Sequence, residues 1–442
     1  MKRPITTLLL AGTVPVFAHH AQADVAAPAA NPPRSTDAGA LTSIRAVIVD
    51  QCDIPTPPVW TLHKSDDGAH PNGDEQHAIW LMNRARQNPE SEGVWLATSD
   101  EPDIKDGREF FGVDTELLKE EFSLIAPKPP AAPDCRLFEA AVSHSNQLIL
   151  DDDQHHDDQF VRIDASGFIY THARGNVFSK AKSALNAHAA FNIDWANDPA
   201  EDPDDGMLDG RGHRKAVMSL DGAYTNVGLA LVPAAETNNV GPLVVTGNYA
   251  HADETIVDHF NTFITGTVWA DDTGHARNGL YDPGEGISAV TVEIIEGTNG
   301  TGYTMAVTAA GGGYAIPVTD GAYRVKFSGQ GLTSNEVDVV VTDAKSVLLD
   351  FKAFLRSDCT NPNSIGDPYV MPADAVYAAG SETVICSDVS ITVNEGATIQ
   401  GPDATAQGAV LGFNSPEISI TPAAEHKFTV ENGALFYTTS DL

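Results

Sequence analysis

One short loop carries the residue types from which a reactive or metal-binding site can be built. Residues 209–219 read DGRGHRKAVMS, with His213 and Arg214 at the start of a short helical pattern. Imidazole is a general acid or base near neutral pH and a common metal ligand. Gly210 and Gly212 allow a sharp turn before the histidine. Catalysis, metal binding and plain packing all remain open for this loop.

The sequence carries no pattern of a nucleophilic hydrolase. Neither a G-x-S-x-G elbow nor an H-E-x-x-H zinc helix occurs. Ser143 and Ser145 flank His144, but adjacent residues of one helix point away from each other. We therefore expect no catalytic serine, and catalytic residues stay unassigned. His144 and His188 lie in apolar helical stripes and are predicted to be buried core residues.

Three helical patterns must position these residues. The first is EQHAIWLMNRARQNPE from Glu75, ended by Pro89. The second starts at Asp134 and repeats apolar residues at i, i+3, i+4 and i+7. The third helical pattern covers residues 177–198. The segment between the first two patterns, residues 101–133, is predicted to be an irregular charged insertion. With strands in NVGLALVP and PLVVTGNYA, residues 74–252 are predicted to form a mixed α/β domain.

The remainder of the chain is predicted to be all β. Short alternating runs divided by Gly, Asn and Asp over 261–352 predict a β-sandwich. In the tail, 353–442, ITVNEGATI and FTVENGALF repeat one pattern, which predicts a small stacked or solenoid-like β module. Residues 24–73 are rich in Pro, Ala, Asp and Gly and are read as a linker.

Several motifs resemble the CAP superfamily of cysteine-rich secretory proteins, antigens and pathogenesis-related proteins, in its bacterial SCP-like form. They occur in the order NRAR, AVSHS, RGNVF, WAND, GRGHR, NVGLAL and VVTGNYA, over about residues 75–250. The resemblance implies an α-β-α sandwich with a cleft lined by two histidines and two acids, which hold a zinc-like cation in several members. The fold class expected is α+β: a CAP-like sandwich, an all-β sandwich and a β-repeat module.

The family's cleft residues transfer only partly to this chain. The resemblance places the two histidines at His156 and His213, and one acid at Asp198, three residues after Trp195. The family's second acid lies in a G-E-N motif, where this chain has Gly175. Two imidazoles and one carboxylate suit Zn²⁺ and leave a position for water. The lost acid removes the obvious base of a hydrolase.

A second resemblance, to the B-type repeats of bacterial adhesins, implies a calcium loop in the sandwich. Within WADDTGHARNGLYDPGEG, the loop positions fall on Asn278, the Leu280 carbonyl, Asp282 and Glu285. Oxygen ligands at this spacing are those of an EF-hand-like loop. The first positions of the loop depart from the adhesin pattern. The alternative to a calcium loop is an acidic turn between strands.

The N-terminus and the cysteines indicate an exported protein. Residues 1–23 combine Lys2 and Arg3 with an apolar run and an A-Q-A site, which predicts a secretory signal peptide. An exported chain can oxidise its cysteines. Four cysteines allow three pairings, and pairs within one region are favoured. These pairs are Cys52 with Cys135, and Cys359 with Cys386.

The charge balance limits the partners. With 61 acidic and 26 basic residues, the net charge of −35 disfavours nucleic acid and anionic lipid. No apolar run after the signal peptide is long enough to span a bilayer. The leading hypothesis is a secreted or cell-surface, non-enzymatic protein that binds an extracellular lipid, glycan or peptide. The alternatives are a metal-dependent hydrolase using His156, Asp198 and His213, and a purely structural surface protein.

Overall fold

The structure is a computed structural model that describes residues 52–196, 205–271, 279–330, 332, 335–353 and parts of the tail. The described parts of the tail are 369–372, 375–379, 381–387, 390–393, 398–400, 410–414, 418–420, 429–430 and 435–438. The predicted signal peptide, Cys359, Asp198 and Asn278 lie outside the described residues. No helix of the described residues is long and apolar enough to cross a membrane.

A four-stranded sheet forms the middle layer of an N-terminal α/β domain, defined here as residues 73–252. Its strands are β1 (Ala132–Pro133), β2 (Tyr170–Phe178), β3 (Asn226–Pro233) and β4 (Leu243–Ala252). They lie in the order β1-β3-β4-β2, with only β1 and β3 parallel. Strand β2 is therefore an edge strand, and one of its ends is open to contacts from both layers.

Helices cover both faces of this sheet. They are α1 (Gly73–Gln87), α2 (Pro89–Thr98), α3 (Pro102–Phe111), α4 (Thr115–Ser123), α5 (Cys135–Asp151), α6 (Gln159–Ser166), α7 (Ala184–Ala189) and α8 (Gly212–Val217). Leu137 of α5 and Ile163 of α6 pack on one face, while Ile79 of α1 and Val217 of α8 join the core on the other. The absent side chain of Gly228 allows this approach, since a Cβ there would lie 2.2 Å from the backbone of Leu137. The α+β class is confirmed.

Two segments of this domain differ from the sequence prediction. Residues 101–133 are not irregular, because α3 and α4 bury Ile104, Leu118 and Phe122. The third helix is shorter than 177–198, because residues through Phe178 pair with β4 and complete the sheet. Helix α7 begins only after the Ser183 cap and continues into one π-helical turn, Ala190–Asp194.

The next domain is a β-sandwich, as predicted. One sheet has the order β10-β9-β6-β7, and in the other β8, β11 and β12 all pair with β5. The strands are β5 (Phe263–Trp269), β6 (Thr291–Glu296), β7 (Met305–Val307), β8 (Gly313–Pro317), β9 (Gly321–Ser328), β10 (Asn335–Val341), β11 (Val347–Leu348) and β12 (Phe351–Lys352). Alternate side chains of both sheets, such as Val292, Ile316 and Val325, form its core.

Residues 52–72 are packed and do not form the loose linker expected over 24–73. Cys52 is bonded to Cys135, as predicted, at the start of α5. Trp60 is buried against Phe260 and Tyr303 and its backbone N–H donates to the Met305 carbonyl at 2.8 Å. The large apolar area of this tryptophan is what favours docking over a free arm. The segment thus links the α/β domain to the sandwich.

The tail forms a three-sided parallel solenoid in its described strands. These are β13 (Tyr369–Val370), β14 (Val376–Tyr377), β15 (Glu382–Cys386), β16 (Ile391–Val393), β17 (Thr398–Ile399), β18 (Val410–Asn414), β19 (Ile418–Ile420), β20 (Thr429–Val430) and β21 (Leu435–Thr438). Every third strand stacks in parallel. Ile391 pairs with Ile418 rather than with the second repeat copy, whose Thr429 pairs with Thr398. The corresponding strands of the two copies therefore lie in different sheets, because the second strand of the first copy pairs with the first strand of the second copy. Cys386 is disulfide-bonded.

Candidate functional site

The two predicted histidines approach strand β2 from opposite helical layers. His156 lies three residues before α6, and His213 is the second residue of α8. A Cβ on Gly175 would lie within 2.5 Å of the Gln159 amide, so α6 packs against that residue. The next residue, Asn176, donates from Nδ2 to the His213 carbonyl at 3.1 Å. Two consecutive residues of the edge strand thus position both histidine segments.

A chain of hydrogen bonds defines the tautomer of His156. Asn248 Nδ2 donates to the Leu137 carbonyl at 3.0 Å, which leaves Asn248 Oδ1 as an acceptor. Gln159 Nε2 donates to that oxygen at 2.9 Å, so Gln159 Oε1 faces His156 Nδ1 at 2.7 Å. Because a carbonyl only accepts, each amide orientation is set in turn. In neutral His156 the proton is therefore on Nδ1, and Nε2 carries the lone pair.

Gln159 occupies the space that an acid would need at position 175. Gly175 has no side chain, and the amide of Gln159 fills the volume beside its Cα. Gln159 is fully buried and belongs to the network that orients His156. A neutral amide thus stands beside this histidine in place of the carboxylate that the resemblance implies. Sequence reasoning noticed the lost acid but not its replacement, because Gln159 lies 16 positions away in the chain.

His213 has a carboxylate partner that the sequence analysis missed. Its Nδ1 donates to Asp194 Oδ1 at 2.6 Å, and its backbone N–H donates to Asp194 Oδ2 at 3.0 Å. The Asp194 side chain is 1% exposed. Phe191 stacks on the imidazole at 5.6 Å between ring centroids. Asp194 immediately precedes Trp195, so its only sequence signal was proximity to the WAND motif. Its carboxylate sets Nε2 as the atom with the lone pair.

The arginine beside His213 has a structural role. Arg214 is 2% exposed and pairs with Glu121 of α4. It also donates to the carbonyls of Asn192 and Ile193, at 2.5 and 3.0 Å, in the π-helical turn. The guanidinium therefore holds the turn that carries Asp194. Gly210 has φ 75°, the left-handed turn expected before the histidine.

His144 and His188 are buried, as predicted. His144 Nε2 contacts the His155 carbonyl at 3.0 Å, and burial lowers the pKa of His144 to about 3. His188 Nε2 contacts Glu92 Oε1 at 2.8 Å. Both residues therefore act in packing.

The predicted calcium loop combines buried acids with one lysine. Glu285 is 1% exposed, and its Oε2 accepts from the Asp282 backbone N–H at 2.8 Å. Burial, followed by Asp271 and Asp282, raises the pKa of Glu285 to about 7. Asp271 is held by Lys352 Nζ at 2.5 Å and by the Gly279 N–H at 2.9 Å. A local cation therefore already balances part of this charge.

Within the described ranges, no group of three or more His, Cys, Asp or Glu residues is arranged to hold a metal ion. In both His156 and His213, the hydrogen bond at Nδ1 leaves the proton off Nε2 when the ring is neutral.

Comparisons with known proteins give only distant structural similarity. No protein-family model matches the sequence, and no curated protein matches it. Two mutant forms of a type II cohesin–X-dockerin complex from Acetivibrio cellulolyticus align at 25% identity over 20% of this chain and 51% of that chain, with TM-scores of 0.16 and 0.15. An extracellular protein with an SCP domain from Bacillus anthracis aligns at 15% identity over 35% of this chain and 43% of that chain, with a TM-score of 0.21. The matched segments thus span about half or less of those chains, and TM-scores this low assign no family.

Proposed function

We propose that this chain is an exported, CAP-like binding protein whose cleft holds a divalent cation between His156 and His213. The preferred ion is Zn²⁺, because neutral imidazole nitrogen is among its usual ligands. The bound ion would supply a Lewis-acidic contact for an oxygen or nitrogen of an extracellular ligand. Asp198 is the proposed third ligand.

The orientation of both imidazoles carries this proposal. His156 directs its Nδ1 proton to Gln159, and His213 directs its Nδ1 proton to Asp194. Metal-binding histidines commonly donate their other ring N–H to an oxygen in this way, which sets the tautomer and raises ligand basicity. Two histidines prepared alike beside one strand favour cation binding over simple packing.

Binding is favoured over hydrolysis because the two positions nearest the histidines, Gly175 and Asp194, provide no free base. A hydrolase that activates water needs a base within hydrogen-bond reach of that water. Gly175 provides none, and its neighbour Gln159 is neutral. Asp194 uses both oxygens on His213. The ligand is therefore proposed to be held unchanged, whether lipid, glycan or peptide.

Bound metal on the mature protein is the direct test. Protein purified without chelator is analysed for zinc, next to a His156→Ala/His213→Ala double variant and a His155→Ala control from the same loop. About one equivalent of zinc in wild type and control, lost in the double variant, is expected. Wild type that stays zinc-free after incubation with excess Zn²⁺ would reject the proposal.

The hydrolase alternative would use water on a cation held by His156, Asp198 and His213, with Asp194 orienting the His213 ring. Zinc-loaded protein is assayed with p-nitrophenyl ester, phosphoester and peptide substrates. Turnover that disappears in His213→Ala, at unchanged fold, would favour the hydrolase. Absence of turnover with zinc bound supports the non-enzymatic binding protein.

Gln159 is predicted to tune the cation affinity through His156. Replacing Gln159 by Glu places a carboxylate on Nδ1 and should tighten zinc binding, whereas Gln159→Leu removes the acceptor and should weaken it about 10- to 100-fold. Competition titration with a chromophoric chelator measures both. Gln147→Leu on the exposed side of α5 serves as a control, and equal affinities for all four proteins would contradict the prediction.

The β modules are proposed to act as spacer or attachment, with calcium bound near Glu285. The site would use Asp282, Glu285 and the Leu280 carbonyl, with Asn278 as a further ligand. Support comes from the buried Glu285 carboxyl, whose Oε1 has no hydrogen-bond partner in the described part of the chain. Oxygen donors of this kind suit Ca²⁺.

Calcium is predicted to stabilise the sandwich through Glu285. At a calcium concentration of about 100 times Kd, wild type should gain about 2.7 kcal/mol of unfolding free energy. Glu285→Gln should abolish this gain, while Glu296→Gln on exposed β6 should retain it. Thermal unfolding with calcium and with chelator measures the difference. A gain of the same size in Glu285→Gln would locate calcium elsewhere.

A further inference from the structure

We propose a second transition-metal site, outside the cleft, formed by His172 of β2 and His251 of β4. The ion is a late first-row divalent metal, with Cu²⁺ bound more tightly than Zn²⁺. Nothing in the cleft proposal involves these residues. Along β2, His172 is four residues from Asn176, or about 13 Å at the rise of a strand.

The two histidines form a cross-strand pair. His172 and His251 are direct partners in the antiparallel β2–β4 register. Their ring centroids are 4.9 Å apart and their planes differ by 14°. Because imidazole lone pairs lie in the ring plane, rotation of one ring out of this stack would bring a nitrogen of each to about 2.0 Å from a shared zinc or copper ion. The strand pairing holds the two residues side by side, so this rotation is the main rearrangement that binding requires.

The hydrogen bonds around His251 favour Nε2 as its donor atom. Asn261 Nδ2 donates to the Ala252 carbonyl at 3.0 Å, so Asn261 Oδ1 is an acceptor. The Thr225 hydroxyl donates to that oxygen at 2.6 Å. Because the hydroxyl has only one proton, the Thr225 oxygen acts as an acceptor towards His251 Nδ1, which lies 3.5 Å away. The proton belongs on Nδ1 and the lone pair on Nε2.

His172 provides the second observation. Its Nδ1 is 3.1 Å from the Thr171 hydroxyl, whereas its Nε2 is buried and makes no hydrogen bond within the described part of the chain. The Ala223 backbone lies near enough to both rings to act on their pKa as a hydrogen-bond partner, but it makes no well-aligned bond to His172 Nε2. A buried ring nitrogen without a partner is costly, and a metal ion would satisfy it. The Ala223 carbonyl is the third donor at hand.

Charge and access also fit a cation. Burial lowers the pKa of both His172 and His251, which keeps the rings neutral and able to bind metal at pH 7. Asp221 and Glu254 are acidic groups that act on the pair, and Asp221 accepts from Arg174 Nη1 at 2.8 Å. Both residues are only half-buried, so a small ring rotation would expose the shielded Nε2 of His172 to an ion from solvent.

The test is a Cu²⁺ titration of the metal-free mature protein, followed by calorimetry and electron paramagnetic resonance. It uses wild type, His172→Gln, His251→Gln and the cleft variant His156→Ala/His213→Ala, with His155→Gln as control. The expected result is one equivalent bound by two nitrogens in the cleft variant. His172→Gln or His251→Gln, made in wild type or in the cleft variant, should weaken the binding of that Cu²⁺ equivalent at least tenfold. The electron paramagnetic resonance spectrum should then show only one coordinating nitrogen.

The outcomes separate this site from the cleft. Wild type that binds two equivalents, of which His172→Gln removes one, supports both sites. Wild type that binds a single equivalent, lost in His172→Gln and kept in the cleft variant, supports this site and rejects the cleft. Copper binding that is unchanged in both His172→Gln and His251→Gln would overturn the inference, provided that their thermal unfolding matches wild type.

Discussion

The unfolding free energy is expected to change little between pH 7 and 5 and to fall steeply below about pH 4.5. Three histidines with strongly lowered pKa values contribute most to the fall. Burial, the largest cause in each case, lowers the pKa of His63, His77 and His144 to about 3. Their folded pKa lies below the unfolded value near 6.5, so each stabilises the fold above pH 6.5 and loses that contribution as the pH falls. Each histidine lowers the unfolding free energy by about 2 kcal/mol by pH 5.

Buried carboxyls oppose this loss at first. Burial raises the pKa of Glu139 and Glu285 to about 7 and that of Asp350 to about 6. A raised carboxyl pKa lowers the unfolding free energy at high pH, and protonation of the carboxyl restores it. Between pH 7 and 5 this restores roughly 2 kcal/mol each for Glu139 and Glu285 and roughly 1 kcal/mol for Asp350. Below about pH 4.5 the unfolded carboxyls protonate as well, so the compensation ends. Between about pH 4.5 and pH 3, His63, His77 and His144 together lower the unfolding free energy by about 5 kcal/mol more.

Urea unfolding followed by tryptophan fluorescence at pH 7, 5, 4 and 3 measures this profile. His144→Gln keeps a donor for the His155 carbonyl and should reduce the loss below pH 4.5 by about a third. Glu139→Gln should be more stable than wild type at pH 8 and lose that advantage near pH 4. A steady loss from pH 7 downward would show that the carboxyls do not compensate.

Glu92→Ala is expected to destabilise the α/β domain by about 3–5 kcal/mol, because it leaves buried partners without their anion. Glu92 of α2 is 3% exposed and accepts from Arg84 Nε at 3.0 Å, Arg84 Nη2 at 2.9 Å and His188 Nε2 at 2.8 Å. The Arg84 guanidinium lies over Trp95 at 4.2 Å and Trp80 at 5.3 Å. Removing the carboxylate therefore affects a network that joins α1, α2 and α7.

The pH dependence of Glu92 gives this prediction a second readout. Burial by itself would raise the pKa of Glu92, but the hydrogen bonds and charges of His188 and Arg84 lower it overall. A lowered carboxyl pKa contributes stability above the unfolded value near 4.3, and this is lost as the pH falls through the folded pKa. The difference between wild type and Glu92→Ala should therefore shrink below about pH 4.

Glu116→Ala is the matched control for Glu92→Ala. Glu116 also pairs with a basic residue, Lys119, but its side chain is 82% exposed. Exposed pairs contribute less than about 1 kcal/mol. Differential scanning calorimetry compares the two variants at pH 7. Similar shifts in Tm for both would show that burial of the Glu92 network adds no stability.

Local patterns along the chain were sufficient for most elements of the fold. The apolar stripe Leu137, Ala140, Ala141 and Leu148 indicated α5, and alternation indicated the strands of the sandwich. Helices α3 and α4 were missed although they begin with standard signals, Pro102 at a first turn and Asp114 as a cap. Their high charge hid the few residues that they bury, Ile104 in α3 and Leu118 and Phe122 in α4.

Sequence patterns were enough to predict the α+β class, the β-sandwich and the solenoid tail, because these depend on periodicity and turn residues. Proximity within one region of the chain predicted the Cys52–Cys135 bond. Short motifs located His156 and His213, but the groups that orient their rings depend on long-range packing. Gln159 reaches the space at Gly175 because α6 packs on β2, and Asp194 reaches His213 because a π-helical turn held by Arg214 places it there. The pairing of His172 with His251 likewise depends on strand register between residues 79 positions apart, which no local pattern encodes.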